Sequence, residues 1–279
     1  MKANELPFDA TPLDWLRPGP ASPGILISAL QPYTLRTCSV DQPALVIPLQ
    51  GRKVITAEQA SMAVGVGQYL MLHRSFKGTI SNLTERDAYR AWCIGFPWRV
   101  VDMARTLLDA HGLPPAPGPA LGTGMLAPLR EDLQRLMLLS DTGDAAADGA
   151  ARDHALVGLL LALARTGDAQ FRLARDPALA ARIRLLVGAD PARDWTSADV
   201  EARLHMSGAT LRRRLAAEQT SLRVLVREAR LDHGLVQLQA TRRPLKAVAQ
   251  ACGYRSVPSF CRQFAARFGV EAAAVGSGL

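Results

Sequence analysis

The chain reads as an α+β multidomain protein, with an N-terminal β-domain and flanking helices, then an all-α domain of two helix-turn-helix units joined by a linker helix. Three observations predict this. Between about Ile25 and Phe96 the apolar segments are short and separated by turn residues. From Trp98 onward the apolar residues recur at helical spacing. The net charge of +8 lies wholly at one end: residues 182–279 hold 16 Lys/Arg against 8 Asp/Glu, and residues 1–181 hold 17 against 17. A cationic end on a neutral body makes DNA the first partner to consider.

Composition bounds the rest. The 279 residues are enough for two cores, and 48% hydrophobic with 21% charged residues is ordinary for a globular protein. The longest apolar run, Ala155 to Ala164, is too short to span a bilayer, so no membrane role is expected. The start, Met1-Lys2-Ala3-Asn4-Glu5, carries no apolar signal segment. Cys38, Cys93, Cys252 and Cys261 have no metal-type spacing and read as reduced thiols of a cytoplasmic protein.

Residues 1–20, rich in Pro and Gly, read as an extended arm. Strands are expected at Ala44–Leu49, Lys53–Thr56, Gly67–Leu72, Gly78–Ser81 and Tyr89–Ile94. Their spacing suits a sandwich or a small barrel spanning residues 21–110. Val100, Val101, Ala104, Leu107 and Leu108 predict a helix over Trp98–Ala110. Pro114, Pro115, Pro117 and Pro119 then break the chain. Within 111–175, two leucine stripes predict a helical hairpin: Leu126, Leu129, Leu133, Leu136 and Met137, then Leu156, Leu159, Leu160 and Leu163. Asp141 to Gly149 makes the turn between them. Such a hairpin either packs on its own domain or offers a dimer seam.

The reading units fall in residues 182–279. In the second, Leu245, Val248, Ala249 and Cys252 form one stripe, with Pro244 near the helix start and Gly253 supplying a left-handed turn. Ser256 caps the next helix, Pro258 sits in its first turn, and Phe260, Phe264 and Phe268 make its buried stripe. The outer face carries Ser259, Arg262 and Gln263. In the first unit, Thr196 with Asp199 makes a capping box, Met206-Ser207 makes the turn, and Leu211 and Leu215 face inward while Ala209, Arg212 and Arg213 face out. A long helix from Leu222 to about Leu238 fits between the two.

These residues resemble the AraC/XylS family of bacterial transcription regulators over about Ala192 to Val270. The likeness is carried by Met206-Ser207-x3-Leu211-x-Arg213, by Arg230-Leu231, and by Val248-Ala249-x3-Gly253-Tyr254-x5-Phe260-x3-Phe264-x4-Gly269. The resemblance implies two recognition helices reading adjacent major-groove segments about one helical turn apart. Base-reading positions fall on Ala209, Arg212 and Arg213, and on Val257, Pro258, Ser259 and Arg262. Phosphate contacts are expected from Arg214, Arg242, Arg243, Lys246 and Arg267. Four departures stand out. Glu201 occupies a position usually small, Gln219 replaces a Gly, Ala272 replaces a Pro, and the Tyr-Arg that usually follows is missing. A looser first unit and a frayed last turn are expected from these. Residues 20–110 are also similar to the cupin-type sensor domain of some family members, through Leu49–Thr56 and Gly67–Leu72 followed by Pro97 and a helix.

Cupin enzymes hold metal on clustered His and carboxylate. Here His73 is the only histidine in residues 1–110, so neither catalysis nor a cofactor is expected. A barrel interior still has room for a small-molecule effector, with Tyr33, Arg36, Tyr69, His73, Arg74 and Trp92 as lining groups. The expectation is therefore a homodimeric, cytoplasmic, DNA-binding regulator, an activator acting with RNA polymerase. Two rivals stay open: a small-molecule-binding cupin protein whose C-terminal half serves assembly or RNA contact, and a regulator controlled by a partner protein.

Overall fold

A computed structural model of the chain describes residues 13–19, 22–57, 60–86, 88–112, 118–139, 144–173 and 178–275. The N-terminal domain begins with eight strands: β1 (Ile25–Ala29), β2 (Tyr33–Val40), β3 (Ala44–Gln50), β4 (Arg52–Ala57), β5 (Ala60–Val64), β6 (Gln68–Leu72), β7 (Phe76–Leu83) and β8 (Tyr89–Gly95). Helix α1 (Trp98–Ala110) follows, then β9 (Leu121–Met125), α2 (Arg130–Met137) and α3 (Ala145–Arg165). The strands form two antiparallel sheets, ordered β1-β8-β3-β6-β9 and β2-β7-β4-β5. All five expected strands and the first helix are present. Strands β1, β2, β5 and β9 are additional, and β9 carries the sheet past the expected boundary at residue 110.

The five-stranded sheet is buried on both faces, so β3 and β6 read as continuous apolar runs without alternation. Val46, Leu70, Leu72 and Ala91 face the second sheet. Leu45, Ile47, Tyr69, Met71, Trp92 and Ile94 face a helical layer of α1, α2 and α3. The leucine stripes of the hairpin are spent on that layer: Leu129, Leu133, Leu136, Leu159, Leu160 and Leu163 are all fully buried within the chain. The expected turn at 141–149 is shorter than its composition suggested. Asp144 accepts from the amides of Ala146 and Ala147 and starts α3 at Ala145. Residues 141–143, and Pro114, Pro115 and Pro117, lie outside the described residues, as does most of the arm. Its described end makes a turn in which the Leu16 amide donates to the Leu13 carbonyl at 2.9 Å, with Leu16 buried and Trp15 packed against the helical core.

The C-terminal domain is α4 (Leu179–Ala189), α5 (Ser197–Leu204), α6 (Gly208–Ala217), α7 (Leu222–Ala240), α8 (Leu245–Ala251), α9 (Val257–Phe268) and α10 (Ala272–Val275). Its first helix thus starts ahead of residue 182, held by the Glu218 carboxylate, which accepts from the Leu179 and Ala180 amides at 3.0 and 2.9 Å. The capping box of Thr196 and Asp199 forms. With hydrogen bonds from Thr196 and the Arg193 guanidinium beside it, the Asp199 carboxyl is held down at about 2. Ser207, Ser221 and Ser256 cap α6, α7 and α9.

Three of the departures from the family pattern acquire a structural account. Glu201 lies over Gly208 at the start of α6. A β-carbon there would stand 2.6 Å from the carboxylate, so the absent side chain at 208 makes room for the large one at 201. Gln219 has φ 53 and is left-handed, as expected. His205 is left-handed too (φ 51) and makes the turn of the first unit that Gly253 (φ 75) makes in the second. The turn therefore begins one residue before Met206. The expected fraying is not seen at α10, where Ala272 and Val275 are buried in the core.

A left-handed non-glycine residue costs about 1 kcal/mol. Gln219→Gly is therefore expected to stabilise the protein by about 0.5–1 kcal/mol, read as a higher urea midpoint. An unchanged or lower midpoint would mean that the Gln219 backbone is not strained.

Candidate nucleic-acid interface and interdomain cavity

Each reading unit presents one short helix by the same local chemistry. In α6, Leu211 and Leu215 are buried with Val200 of α5 and with Leu225 and Ala229 of α7, which leaves Ala209, Arg212, Arg213 and Arg214 exposed. In α9, Phe260, Phe264 and Phe268 are fully buried and stack in sequence, with centroids 5.6 and 4.6 Å apart. That orientation turns Pro258 and Arg262 outward and leaves Val257 and Ser259 half-buried at the edge. Arg242, Arg243 and Lys246, at the start of α8, are exposed. Among the described residues, none of Arg212, Arg213, Arg214, Arg242, Arg243, Lys246 and Arg262 is in a salt bridge with a carboxylate. These side chains keep their charge and their donors for an outside acceptor.

Arg267 does not belong with them. Its side chain is 8% exposed, and its guanidinium donates to Asp232 at 2.9 Å, pairs with Glu228 at 2.9 Å and reaches Ser39 Oγ of β2 at 3.3 Å. The expected phosphate contact is therefore corrected. Arg267 is a cation near the end of a reading helix, but the β-domain docks against that end of α9. Glu228 also pairs with Arg184 of α4, whose guanidinium grips Asp41, between β2 and β3, at 2.6 and 2.8 Å. A chain of alternating charges, Asp41–Arg184–Glu228–Arg267–Asp232, thus ties the β-domain to three helices of the reader.

Beside this chain lies a cavity of about 560 Å3 between the two sheets and α7. Its wall is mostly apolar, with Ile27, Leu35, Val46, Ile55 and Ile80 from the sheets and Leu235 from α7. Lys53 of β4 opens into it. The ammonium is buried, donates to Asn82 Oδ1 at 2.8 Å and stands 5.3 Å from the centre of the Tyr89 ring. Burial lowers its pKa, and the Asn82 side chain that accepts from it is a neutral amide. Asn82 Nδ2 in turn donates to the Tyr33 hydroxyl at 2.9 Å, and Gln239 Nε2 of α7 donates to the same oxygen at 2.7 Å. A hydrogen-bonded line therefore runs from the cavity cation to the linker helix.

None of the expected lining groups borders this cavity; Tyr33 stands behind its wall, joined to the lining residue Gln239 and to Asn82 by hydrogen bonds. Tyr69 and Trp92 point to the helical layer, where they bond Thr166 and the Pro23 carbonyl. His73 pairs with Asp168 at 2.8 Å, and Arg36 and Arg74 are exposed. Lys53 was not singled out from the sequence. A lysine on an alternating strand looks like any solvent-facing residue until its partner sheet is in place. Among the described residues, no group of three His, Cys, Asp or Glu is placed to hold a metal, and no helix is long and apolar enough to cross a membrane.

The fold and these surfaces define a class: a two-sheet β-domain docked on a double helix-turn-helix reader. Residues 200–275 match the family model described as a helix-turn-helix domain. The regulator GadX of Escherichia coli K12 is 31% identical over 94 residues, which is 34% of each chain. SirC of Salmonella typhimurium is 31% identical over 83 residues, 30% of this chain and 28% of that one. The matched stretch thus spans about a third of the length of the curated relatives. ToxT from Vibrio cholerae shares the whole architecture, with a TM-score of 0.59 over 90% of this chain and 96% of its own, at 13% identity.

Asp232 gives the docked arrangement a pH dependence. It borders the cavity, and burial pushes its carboxyl up to about 7, with Asp41 adding to the rise and Arg267 and Arg184 opposing it. The folded state then holds a proton that the unfolded chain has released, so this group's contribution falls as pH rises from about 4 to about 7 and is flat above. Relative to the natural protein, Asp232→Asn is expected to fare better in urea at pH 8 than at pH 5, because the charge that burial penalises at high pH is gone while the lost pairing with Arg267 weighs on the variant throughout. A difference that moves the other way with pH would contradict this assignment.

Proposed function

We propose that the protein is a sequence-specific DNA-binding regulator of transcription whose reader is modulated by a small molecule held between its domains. The observation that carries this reading is the pair of helices, α6 and α9, mounted on one α7 and offering arginines free of carboxylate partners. Ala209, Arg212 and Arg213 read one major-groove segment, and Val257, Pro258, Ser259 and Arg262 read the next. Arg214, Arg242, Arg243 and Lys246 neutralise phosphates and supply the salt-dependent share of affinity. The protein acts in the cytoplasm as a homodimer, on promoter DNA and with RNA polymerase, as an activator.

The effector is an apolar molecule with an anionic group. The cavity volume is in the range of small-molecule sites. Asp41 and Asp232 also border the cavity but are paired with Arg184 and Arg267, which leaves the Lys53 ammonium, on neutral partners in a mostly apolar wall, to select a carboxylate with a hydrocarbon body. ToxT, which shares the fold, has been solved with an unsaturated fatty acid bound. The line Lys53–Asn82–Tyr33–Gln239 gives such a ligand a route to α7, and so to both reading units.

Selection from a pool of random 30-base-pair duplexes tests the first part. One motif with two half-sites about a helical turn apart is expected, and recovery of no motif would overturn it. On the selected duplex, Arg262→Ala is expected to cost about 1–3 kcal/mol and to relax one base pair. An equal loss on every sequence would remove Arg262 from the base-reading set. For the cavity, oleate is expected to raise the melting temperature of the full chain by mass action. Lys53→Gln is expected to abolish most of that shift, and an undiminished shift in the variant would refute the role given to Lys53.

A further inference from the structure

Two arginines of α7 take no part in the networks above. Arg223 and Arg227 stand one turn apart on its exposed face, and among the described residues neither is in a salt bridge. Both line a groove of about 520 Å3 that separates the two reading units. A third guanidinium, Arg230, borders it too, but donates to the carbonyls of Pro191 and Arg193, each at 2.9 Å, and serves to hold the loop before α5. Among the described residues, no carboxylate lines the groove. Glu228, next in sequence to Arg227, is taken by Arg184 and Arg267.

The opposite wall is neutral and made of hydrogen-bonding groups. The Tyr254 hydroxyl donates to Gln263 Oε1 at 3.1 Å, and Gln263 Nε2 donates to Ser259 Oγ at 3.2 Å. Gln263 lies beside Arg262 on α9, at the edge of the recognition face. The far rim holds Ser197, in the first turn of α5. In a helix-turn-helix unit that first helix crosses the DNA backbone. The groove therefore joins the backbone-facing edge of one unit to the base-facing edge of the other. A cationic cleft without carboxylates suits a phosphodiester, with guanidinium forks matching its oxygens.

We propose that this groove seats the stretch of DNA backbone between the two half-sites, with Arg223 and Arg227 each on a phosphate. The contact sets the register of the two recognition helices, because it fixes the duplex midway between them. It rests on the reading of the protein as a DNA-binding regulator and adds a site to it.

The test uses the full chain, a duplex selected from the random pool, and its scrambled counterpart. Arg223→Gln with Arg227→Gln is expected to weaken both duplexes by a similar factor. It is also expected to make the slope of log affinity against log salt shallower by about 2, roughly 0.9 for each phosphate released. Ethylation interference on the selected duplex is expected to show phosphates between the half-sites that matter to the natural protein and not to the double variant. Arg223→Lys with Arg227→Lys, which keeps the charge, is expected to restore the slope, and an unchanged urea midpoint shows that the glutamine variant is folded. A glutamine variant with the natural slope, or with the same interfering phosphates, overturns the groove while leaving the DNA reading intact. A natural protein that binds neither duplex overturns the DNA reading itself.

Discussion

The linker helix α7 is the constraint on which the arrangement depends. Its 19 residues serve three packing tasks at once. Leu225 and Ala229 complete the core of the first reading unit. Leu231, Leu235 and Leu238 belong to a core shared by the second unit and the interior of the β-domain. Glu228 and Asp232 hold Arg267 and, through Arg184, the loop at Asp41. A rigid helix cannot satisfy one of these contacts without fixing the position of the others, so the separation of the two readers and the depth of the cavity are set together.

That shared helix explains why the cavity and the reader need no long path between them. The cation at Lys53 reaches α7 through two side chains, and the charge chain reaches α9 through two more. Both lines consist of buried or half-buried groups, in which a lost partner is costly because water does not replace it. On the proposed function, a ligand in the cavity would bias the reader by local rearrangement at one face of α7.

Much of this was legible in the sequence, and the exceptions are physical. The phenylalanine stripe of α9, the serine caps and the capping box at Thr196 depend on neighbours within a few residues, and they form as read. Strand β9 was not seen because Leu121-Gly-Thr-Gly-Met125 has the weak strand propensity of its glycines and is held by pairing with β6. Strand β2 alternates only from Tyr33 to Arg36 before a register shift between Leu35 and Cys38 breaks the pattern. His205 makes its turn without the glycine that would have marked it. Arg267 and Lys53 share a deeper reason. What each meets is set by long-range packing, the docking of the β-domain for Arg267 and the facing of the two sheets for Lys53, and no local spacing encodes that meeting.

The central claim is that α6 and α9 address one duplex together through α7. Hydroxyl-radical footprinting of the full chain on a selected duplex tests it most directly. The account predicts two protected patches about one helical turn apart on a single face of the DNA, lost together when salt is raised. A single patch, or two patches on opposite faces, would contradict it.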